Sequence, residues 1–311
     1  MRLSRWTEDE PLGRSKTLPD VLILGGSGLI GGAITEEFGK DSVLATYRTN
    51  PIENGTYFDA TVGSCASLIE RFGRPSIAVL LFAEAQIEFC YQNSSAAAEI
   101  NITATTRILD ELLDIGVKPV FISTDVVFDG ERGNYRECDI ARPILEYGRQ
   151  KLVVERYLEA SGSPHLIIRL PKVVSSDPSS DGFFGNWIHL IESRDEILCA
   201  EDQLFSPVDV RDVAASIFLL VENTCEGLYH AAGTDNCSRA DLFEQLLNAI
   251  RKRKKTTAQM KRCSIRSFEG FSEDRPLDTT LDSSKLRGLG GTPVRSMEEV
   301  IEEAVATFYS K

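Results

Sequence analysis

The stretch VLILGGSGLIGG (residues 21–32) decides the fold. Val21–Leu24 is a short, uniformly apolar run, which reads as a strand buried on both faces. Gly25 ends it, and Leu29–Phe38 follows as a helix. Between them Gly25, Gly28 and Gly31 keep a GxxGxxG spacing. The first glycine permits the tight turn and the second lets backbone approach a pyrophosphate at the helix N-terminus. The third lets the helix pack close to the sheet. Leu29 and Ile30 open the helix and bring their amides to the same place. A glycine-rich turn without a ligand is the alternative, but the position directly after the first apolar strand favours a dinucleotide.

Outward from this loop the pattern repeats. Ser42–Tyr47 reads as a strand, Ser64–Phe72 as a helix, Ile77–Ala83 as a strand and Ala96–Ile115 as a helix. A further strand lies within Val117–Ser123, followed by a helix over Leu145–Leu158 and a strand over Leu166–Leu170. Apolar strands alternating with helices predict a doubly wound parallel α/β sheet of the NAD(P)-binding Rossmann type. After Leu170 the alternation weakens. Residues 175–186 are rich in Ser, Asp, Gly and Pro and read as a loop, while Val208–Val221, Ala240–Ile250 and Met297–Phe308 read as helices. The expected organisation is a polar tail over 1–20, a cofactor-binding domain over 21–173 joined by part of 208–232, and a smaller, interleaved C-terminal substrate-binding lobe over 174–311.

The 311 residues carry a formal charge of −13, which disfavours a general nucleic-acid partner. No run of about 18 apolar residues predicts a membrane span. The first 20 residues hold no apolar core of a secretory leader, so the cytoplasm is the expected compartment. The 7 cysteines include no CxxC pair, and His165, His189 and His230 form no HxxxH pair. Reduced thiols and no metal site are expected.

The second strand ends in Tyr47-Arg48-Thr49, where a site preferring NAD(H) usually carries an acid for the ribose 2′-hydroxyl. Arg48 and Thr49 suit a 2′-phosphate instead, unless Arg48 is a solvated surface residue. NADP(H) is therefore expected to be preferred, with NAD(H) also admitted. Asp59 is either a partner for the adenine amino group or a helix N-cap. Tyr147 and Lys151, four residues apart, share one helical face. Free tyrosine titrates near 10, and bringing it to about 7 takes roughly 4 kcal/mol. A nearby ammonium and a cationic nicotinamide both act in that direction. The preceding strand ends in Ile122-Ser123-Thr124-Asp125, which delivers a hydroxyl to the carboxyl edge of the sheet.

Together these residues resemble the extended short-chain dehydrogenase/reductase family, from Val21 to nearly the C-terminus. Within it, ISTDVVFDG (122–130), Tyr135-Arg-Glu, Pro143, EYGRQK (146–151), Glu201-Asp202-Gln203, Pro207, Arg275-Pro276 and Leu281-Asp282 are similar to the dTDP-4-dehydrorhamnose reductase branch. The regulatory β subunit of methionine adenosyltransferase shares the STDxVFDG run. The resemblance implies hydride transfer from a nicotinamide to the keto carbon of a nucleotide-linked 4-keto-6-deoxysugar. It implies Tyr147 as proton donor, Thr124 as the hydrogen-bond partner of the carbonyl, and Lys151 on the nicotinamide ribose, lowering the tyrosine pKa. It also implies Ala83, Asn101 and Ser123 beside the cofactor, and Asp125, Val127, Phe128, Asn186 and Arg275 toward the substrate. A non-catalytic, cofactor-binding regulatory protein and a sugar-nucleotide epimerase are the alternatives, and a homodimer is left open.

Two segments depart from the family pattern. Glu84 stands in the FAEAQ run (82–86), placing an anion near pyrophosphate or substrate, and RLPKVV (169–174) replaces the usual Arg-x-x-x-Val-Tyr. Phe183, Phe184, Asn186 and Trp187 are either a sugar-nucleotide clamp or ordinary packing. The basic run RKRKK (251–255), with Lys261 and Arg262, reads first as a solvated helix end. A nuclear signal, a nucleic-acid contact or a cation on the substrate diphosphate are its other readings.

Overall fold

A computed structural model describes residues 20–177, 182–291 and 294–310. The expected tail lies outside these residues except for Asp20, as do 178–181 of the Ser/Asp/Gly loop. Seven parallel strands form the main sheet: β1 (Val21–Leu24), β2 (Val43–Tyr47), β3 (Thr56–Tyr57), β4 (Ile77–Leu80), β5 (Lys118–Thr124), β6 (Leu166–Leu170) and β7 (Gly227–His230). Their order is β7-β6-β5-β4-β1-β2-β3. The chain leaves β1 in one direction and returns to β4 on its other side, in register Val21↔Ile77 through Leu24↔Leu80. Such a reversal opens a crevice at the carboxyl ends of β1 and β4, the usual ligand position in a doubly wound sheet.

The strands are apolar throughout because both faces are covered. Val21, Ile23, Ile77, Val79, Val120 and Ile122 point to one face, where they meet Ile34 of α1 (Leu29–Phe38). Leu22, Leu24, Ala78, Leu80 and Phe121 point to the other, against Leu68 of α2 (Cys65–Phe72) and Ile108, Leu109 and Leu112 of α3 (Thr105–Asp114). Val154 and Leu158 of α4 (Glu146–Ser161) complete that layer. A separate core joins α5 (Phe183–Ser193) to α7 (Arg239–Arg251) and α8 (Met297–Phe308). Meanwhile α6 (Val210–Glu222) returns to the main sheet beside α1, through Val213, Ile217 and Leu220.

The helix read over Ala96–Ile115 is not uniform. It starts at Ser94 and widens into a π turn over Glu99–Ala104 before α3. Such insertions gather at functional sites. Here the wider turn carries the buried Asn101 side chain to the end of β4, where Asn101 Oδ1 accepts from Glu84 N (2.9 Å) and Nδ2 donates to Glu84 O (2.9 Å).

Candidate active site

The glycine loop occupies the crevice. Gly25 has φ +97°, and a Cβ there would lie 3.0 Å from the Phe82 amide. At Gly31 a Cβ would stand 2.6 Å from Gly26 Cα, so the start of α1 packs on the loop with no space for a side chain. Gly26, which the spacing argument passed over, presses on β2: its Cβ would fall 2.7 Å from that of Ala45. Gly28 differs, because a Cβ there would meet nothing nearer than Gly25 O at 3.6 Å. Internal packing does not demand a glycine at that exposed position, whereas close approach of a ligand does. The residue also caps α1 with no side-chain bond, and among the described residues no side chain bonds the amides of its first turn, Leu29 and Ile30 included, as an anion site requires. Thr46 steadies the loop, accepting from Gly25 N and donating to Ile23 O, both at 3.1 Å.

A cavity of about 260 Å³ continues from Gly25 and Gly28 past Arg48, Thr49, Asp59, Ala83 and Glu84. Arg48 stands exposed on its rim and forms no salt bridge among the described residues. Asp59 accepts from the amide and hydroxyl of Thr61, and these bonds hold its carboxyl below the usual range, with a small further pull from Arg48. Asp59 is not a helix N-cap: Ser64 caps α2. Glu84 does line the cavity, with its carboxylate turned onto the Gln86 amide.

At the carboxyl end of β5, Thr124 caps a short turn over Asp125–Val127. Its hydroxyl donates to Asp125 Oδ1 (3.1 Å) and accepts from Val126 N (3.3 Å). Tyr147 and Lys151 rise from the first turns of α4. Gly148 lets that helix sit on the turn, since a Cβ there would lie 2.1 Å from Val126 O. The buried Lys151 ammonium donates to Ile122 O (2.9 Å), 5.8 Å from the Tyr147 ring centroid and 4.6 Å from that of Phe121. Burial pushes Lys151 down to about 8, against the pull of Glu155. Tyr147 moves opposite to expectation. Burial of its phenol, reinforced by Cys90, Asp125 and Glu84, pushes its pKa up, and the ammonium alone does not offset this. The phenol is therefore held protonated.

Several residues expected beside a ligand also make contacts within the protein. Ser123 donates its hydroxyl to the buried Glu155, and Asn101 is committed to the Glu84 backbone and to Gln150 Oε1 (2.8 Å). Each of these side chains satisfies a buried polar group. Val127 and Phe128 are wholly buried; Phe128 stacks on Tyr135 at 4.1 Å, with the Arg169 guanidinium 5.0 Å from its ring. Asp125 is buried between Thr124 and Thr279, whose hydroxyl donates at 2.6 Å, and burial pushes it up to about 6. Asn186 is exposed in the first turn of α5. Phe183 and Trp187, their rings tilted with centroids 4.1 Å apart, pack against the core of α5, α7 and α8, while Phe184 lies inside it. Arg275 pairs with Glu88 and lies 4.5 Å from the Phe271 centroid, with its Nη1 buried and unbonded. In the basic run, Lys252 pairs with Glu302 and Lys254 with Glu192, both at 2.8 Å on the surface. That is the solvated-end reading.

Beneath the site lies an ion pair the sequence reading missed. Glu155 and Arg169 are joined through Nη2–Oε2 (2.6 Å) and Nε–Oε1 (3.0 Å), with side chains 1% and 4% exposed. His230 packs behind it, pushed down to about 3 by burial and by Arg169. Two signals were available: a charge inside the apolar strand LIIRL, and Glu155 following Tyr147 and Lys151 at further four-residue spacing on one helix face.

A family model described as the RmlD substrate binding domain matches residues 19–310. Methionine adenosyltransferase 2 subunit beta of Bos taurus is 26% identical over 299 residues, covering 87% of this chain and 82% of that protein. The crystal structure of a hypothetical dTDP-4-dehydrorhamnose reductase from Sulfolobus tokodaii is similar at TM-score 0.78 and 28% identity, covering 89% of this chain and 98% of that one. A dTDP-4-dehydrorhamnose reductase from Bacillus anthracis, solved in complex with NADP, has TM-score 0.79 at 24% identity, covering 94% and 99%.

Proposed function

The chain belongs to the RmlD substrate binding domain family, and from that premise we propose that it is an NADPH-dependent reductase of a nucleotide-linked 4-keto-6-deoxysugar. One observation carries the reading: a phenol held protonated, a threonine hydroxyl and a buried ammonium meet at the carboxyl edge of the sheet, beside a glycine loop that leaves room for a dinucleotide. The cofactor would be held by the loop amides from Gly28 to Gly31, by Arg48 and Thr49 at its 2′-phosphate, and by Lys151. When bound, its nicotinamide supplies the hydride.

The remaining steps belong to the protein. Thr124 turns its hydroxyl from Asp125 to the substrate carbonyl and fixes its direction. Tyr147 gives its proton to the oxygen as negative charge develops there, and a donor held protonated at neutral pH suits reduction. Lys151, fixed on Ile122 O, keeps a positive charge beside the phenolate this leaves. Asn101 keeps the end of β4 in place through the Glu84 backbone.

The test is loss of NADPH absorbance, with product mass, on mixing the protein with dTDP-4-keto-6-deoxyglucose, with and without a 3,5-epimerase. Oxidation in either mixture supports the reading. Tight NADPH binding with no oxidation across a panel of keto-sugar nucleotides favours the second reading, a cofactor-binding regulatory subunit. The likeness to methionine adenosyltransferase 2 subunit beta supports that alternative.

A further inference from the structure

The helix that carries Tyr147 and Lys151 does not cap itself. A helix start leaves amides to be satisfied, and Ser, Thr, Asp or Asn usually supplies the acceptor. At α4 the N-cap position is Leu145, which has no side-chain bond to offer. The acceptor comes from Glu273, 127 residues along the chain: Glu146 N donates to Glu273 Oε1 (2.9 Å). Arg149 Nη1 lies 3.4 Å from the same oxygen, and its Nη2 donates to Ile144 O (2.6 Å). The amide so held belongs to the residue just before Tyr147.

Glu273 is brought there by a segment of its own. The chain leaves the strand Gln259–Cys263, which pairs with Glu196–Ala200 in a separate small sheet, and crosses to the cofactor side. Ser272 N donates to Glu88 Oε2 (2.9 Å), Gln92 Nε2 donates to Ser272 Oγ (3.2 Å), and Arg275 pairs with Glu88. Further on, Asp278 N donates to Gly130 O (2.9 Å). Between these anchors the Glu273 side chain is 6% exposed, and its Oε2 is buried without a hydrogen-bond partner. Burial pushes the carboxyl up, with a smaller push from Glu146, while the Glu146 amide and Arg149 favour the charged form. A buried, half-satisfied carboxylate is costly. What offsets the cost is its place at the helix start, where a negative charge meets the positive end of the helix.

From the capped turn, hydrogen bonds run inward to the site. Glu146 Oε1 accepts from Ser94 Oγ (2.7 Å) and Gln150 Nε2 (3.1 Å). Gln150 Oε1 in turn accepts from Asn101, which holds the Glu84 backbone at the end of β4. The first turn of α4 is thus tied to the end of β4 on one side and to Glu273 on the other. Among the described residues the Tyr147 hydroxyl itself makes no hydrogen bond, so its place depends on the turn that carries it. We infer that Glu273 is a positioning residue for Tyr147, capping α4 from a distant segment and so fixing how the phenol is presented beside Thr124. The inference rests on the reductase reading for the reaction but not for the clamp. A misplacement of about 1 Å at a reacting group can cost about 10²-fold in rate, so a single cap can matter to turnover.

Steady-state kinetics and amide hydrogen exchange on the full chain test this together. Glu273→Ala should lower kcat about tenfold or more, while KM for the keto-sugar nucleotide and NADPH affinity stay within about twofold. Glu273→Gln keeps a carbonyl acceptor for Glu146 N and should recover kcat to within about threefold of wild type. In a Tyr147→Phe background, Glu273→Ala should change the remaining rate less than about twofold, because the group it positions is gone. Amides of residues 146–149 should exchange about fivefold faster in Glu273→Ala, with those of 152–158 unchanged. A wild-type kcat in Glu273→Ala overturns the inference. So does an equal fractional loss with and without the Tyr147 hydroxyl, which would make Glu273 a purely structural residue. Exchange is read whether or not there is turnover. Faster exchange confined to the first turn, in a protein that reduces no keto-sugar, would keep the clamp and discard the reductase; unchanged exchange would discard the clamp whatever the turnover.

Discussion

On the side of β1 and β2 the wall of the cleft is backbone. Gly25, Gly26 and Gly31 leave no room for a Cβ, Gly28 leaves room for a ligand, and Arg48 on the rim is the cation nearest the expected 2′-phosphate. On the side of β5 and β6 the wall is charged side chain. Asp125, Lys151, Glu155 and Arg169 are buried there, Lys172 and Arg239 stand near the Phe183 ring, and Arg275 pairs with Glu88. A backbone wall accepts a ligand through shape and amide direction, and it is stable when nothing is bound. A charged wall is held by pairing, so removing one member leaves its partner buried and unsatisfied.

The difference can be broken from the charged side first. Tyr147→Phe should lower turnover by about 10²–10⁴ while NADPH affinity stays near wild type, the range for a lost general acid. Reduction at the wild-type rate would remove Tyr147 from the chemistry. Glu155→Gln leaves Arg169 buried without its carboxylate, and should lower unfolding free energy by about 3–5 kcal/mol in urea titration. A loss below about 1 kcal/mol would show that the pair is not holding this end of β6.

Asp125 sharpens the contrast through pH. Its folded pKa, about 6, lies above its unfolded value near 3.9, so the folded chain binds the proton more tightly. The associated stability is complete below about pH 4 and is lost as pH rises through about 6. The gain of Asp125→Asn over wild type should therefore grow by about 3 kcal/mol between about pH 4 and pH 7. A constant difference would mean that the carboxyl titrates normally. His230, with a lowered pKa, acts in the opposite direction in both proteins and cancels in the comparison.

The backbone side answers to volume. Gly31→Ala should cost about 1–3 kcal/mol of stability through overpacking and take cofactor binding with it. Gly28→Ala should leave the unfolding midpoint unchanged and weaken NADPH alone. If both variants behaved alike, the second glycine would have no ligand-specific role. The smallest effect is expected at the rim: Arg48→Ala should remove an NADPH-over-NADH preference of about tenfold, read by fluorescence titration, with NADH affinity unchanged.

Much of the cofactor side was legible from residues 21–49, because turn chemistry and apolar runs are local properties. Tyr147 and Lys151 were legible for the same reason, being one helical turn apart. The bonds of Asn101 to the Glu84 backbone and of Ser123 to Glu155 were not legible, because a motif gives a residue's position on an element and not which buried group its side chain must satisfy. Val127 and Phe128 stand at the right strand end, but the turn after Thr124 directs them into the core with Tyr135. The rise in the Tyr147 pKa was hidden as well, since it depends on burial and on Asp125 and Glu84 from other strand ends.

The sequence by itself determined a parallel sheet with a glycine loop after its first strand, and a tyrosine and lysine on one face of a helix. Periodicity, turn residues and helical spacing act within a few residues, so they can be read along the chain. Only the tertiary structure decided which charges are neutralised. Arg169 finds Glu155, Lys252 finds Glu302 and Arg275 finds Glu88. A charge's environment is set by neighbours drawn from distant segments, and whether it is paired for stability or left open for a ligand exists only once those segments are packed together.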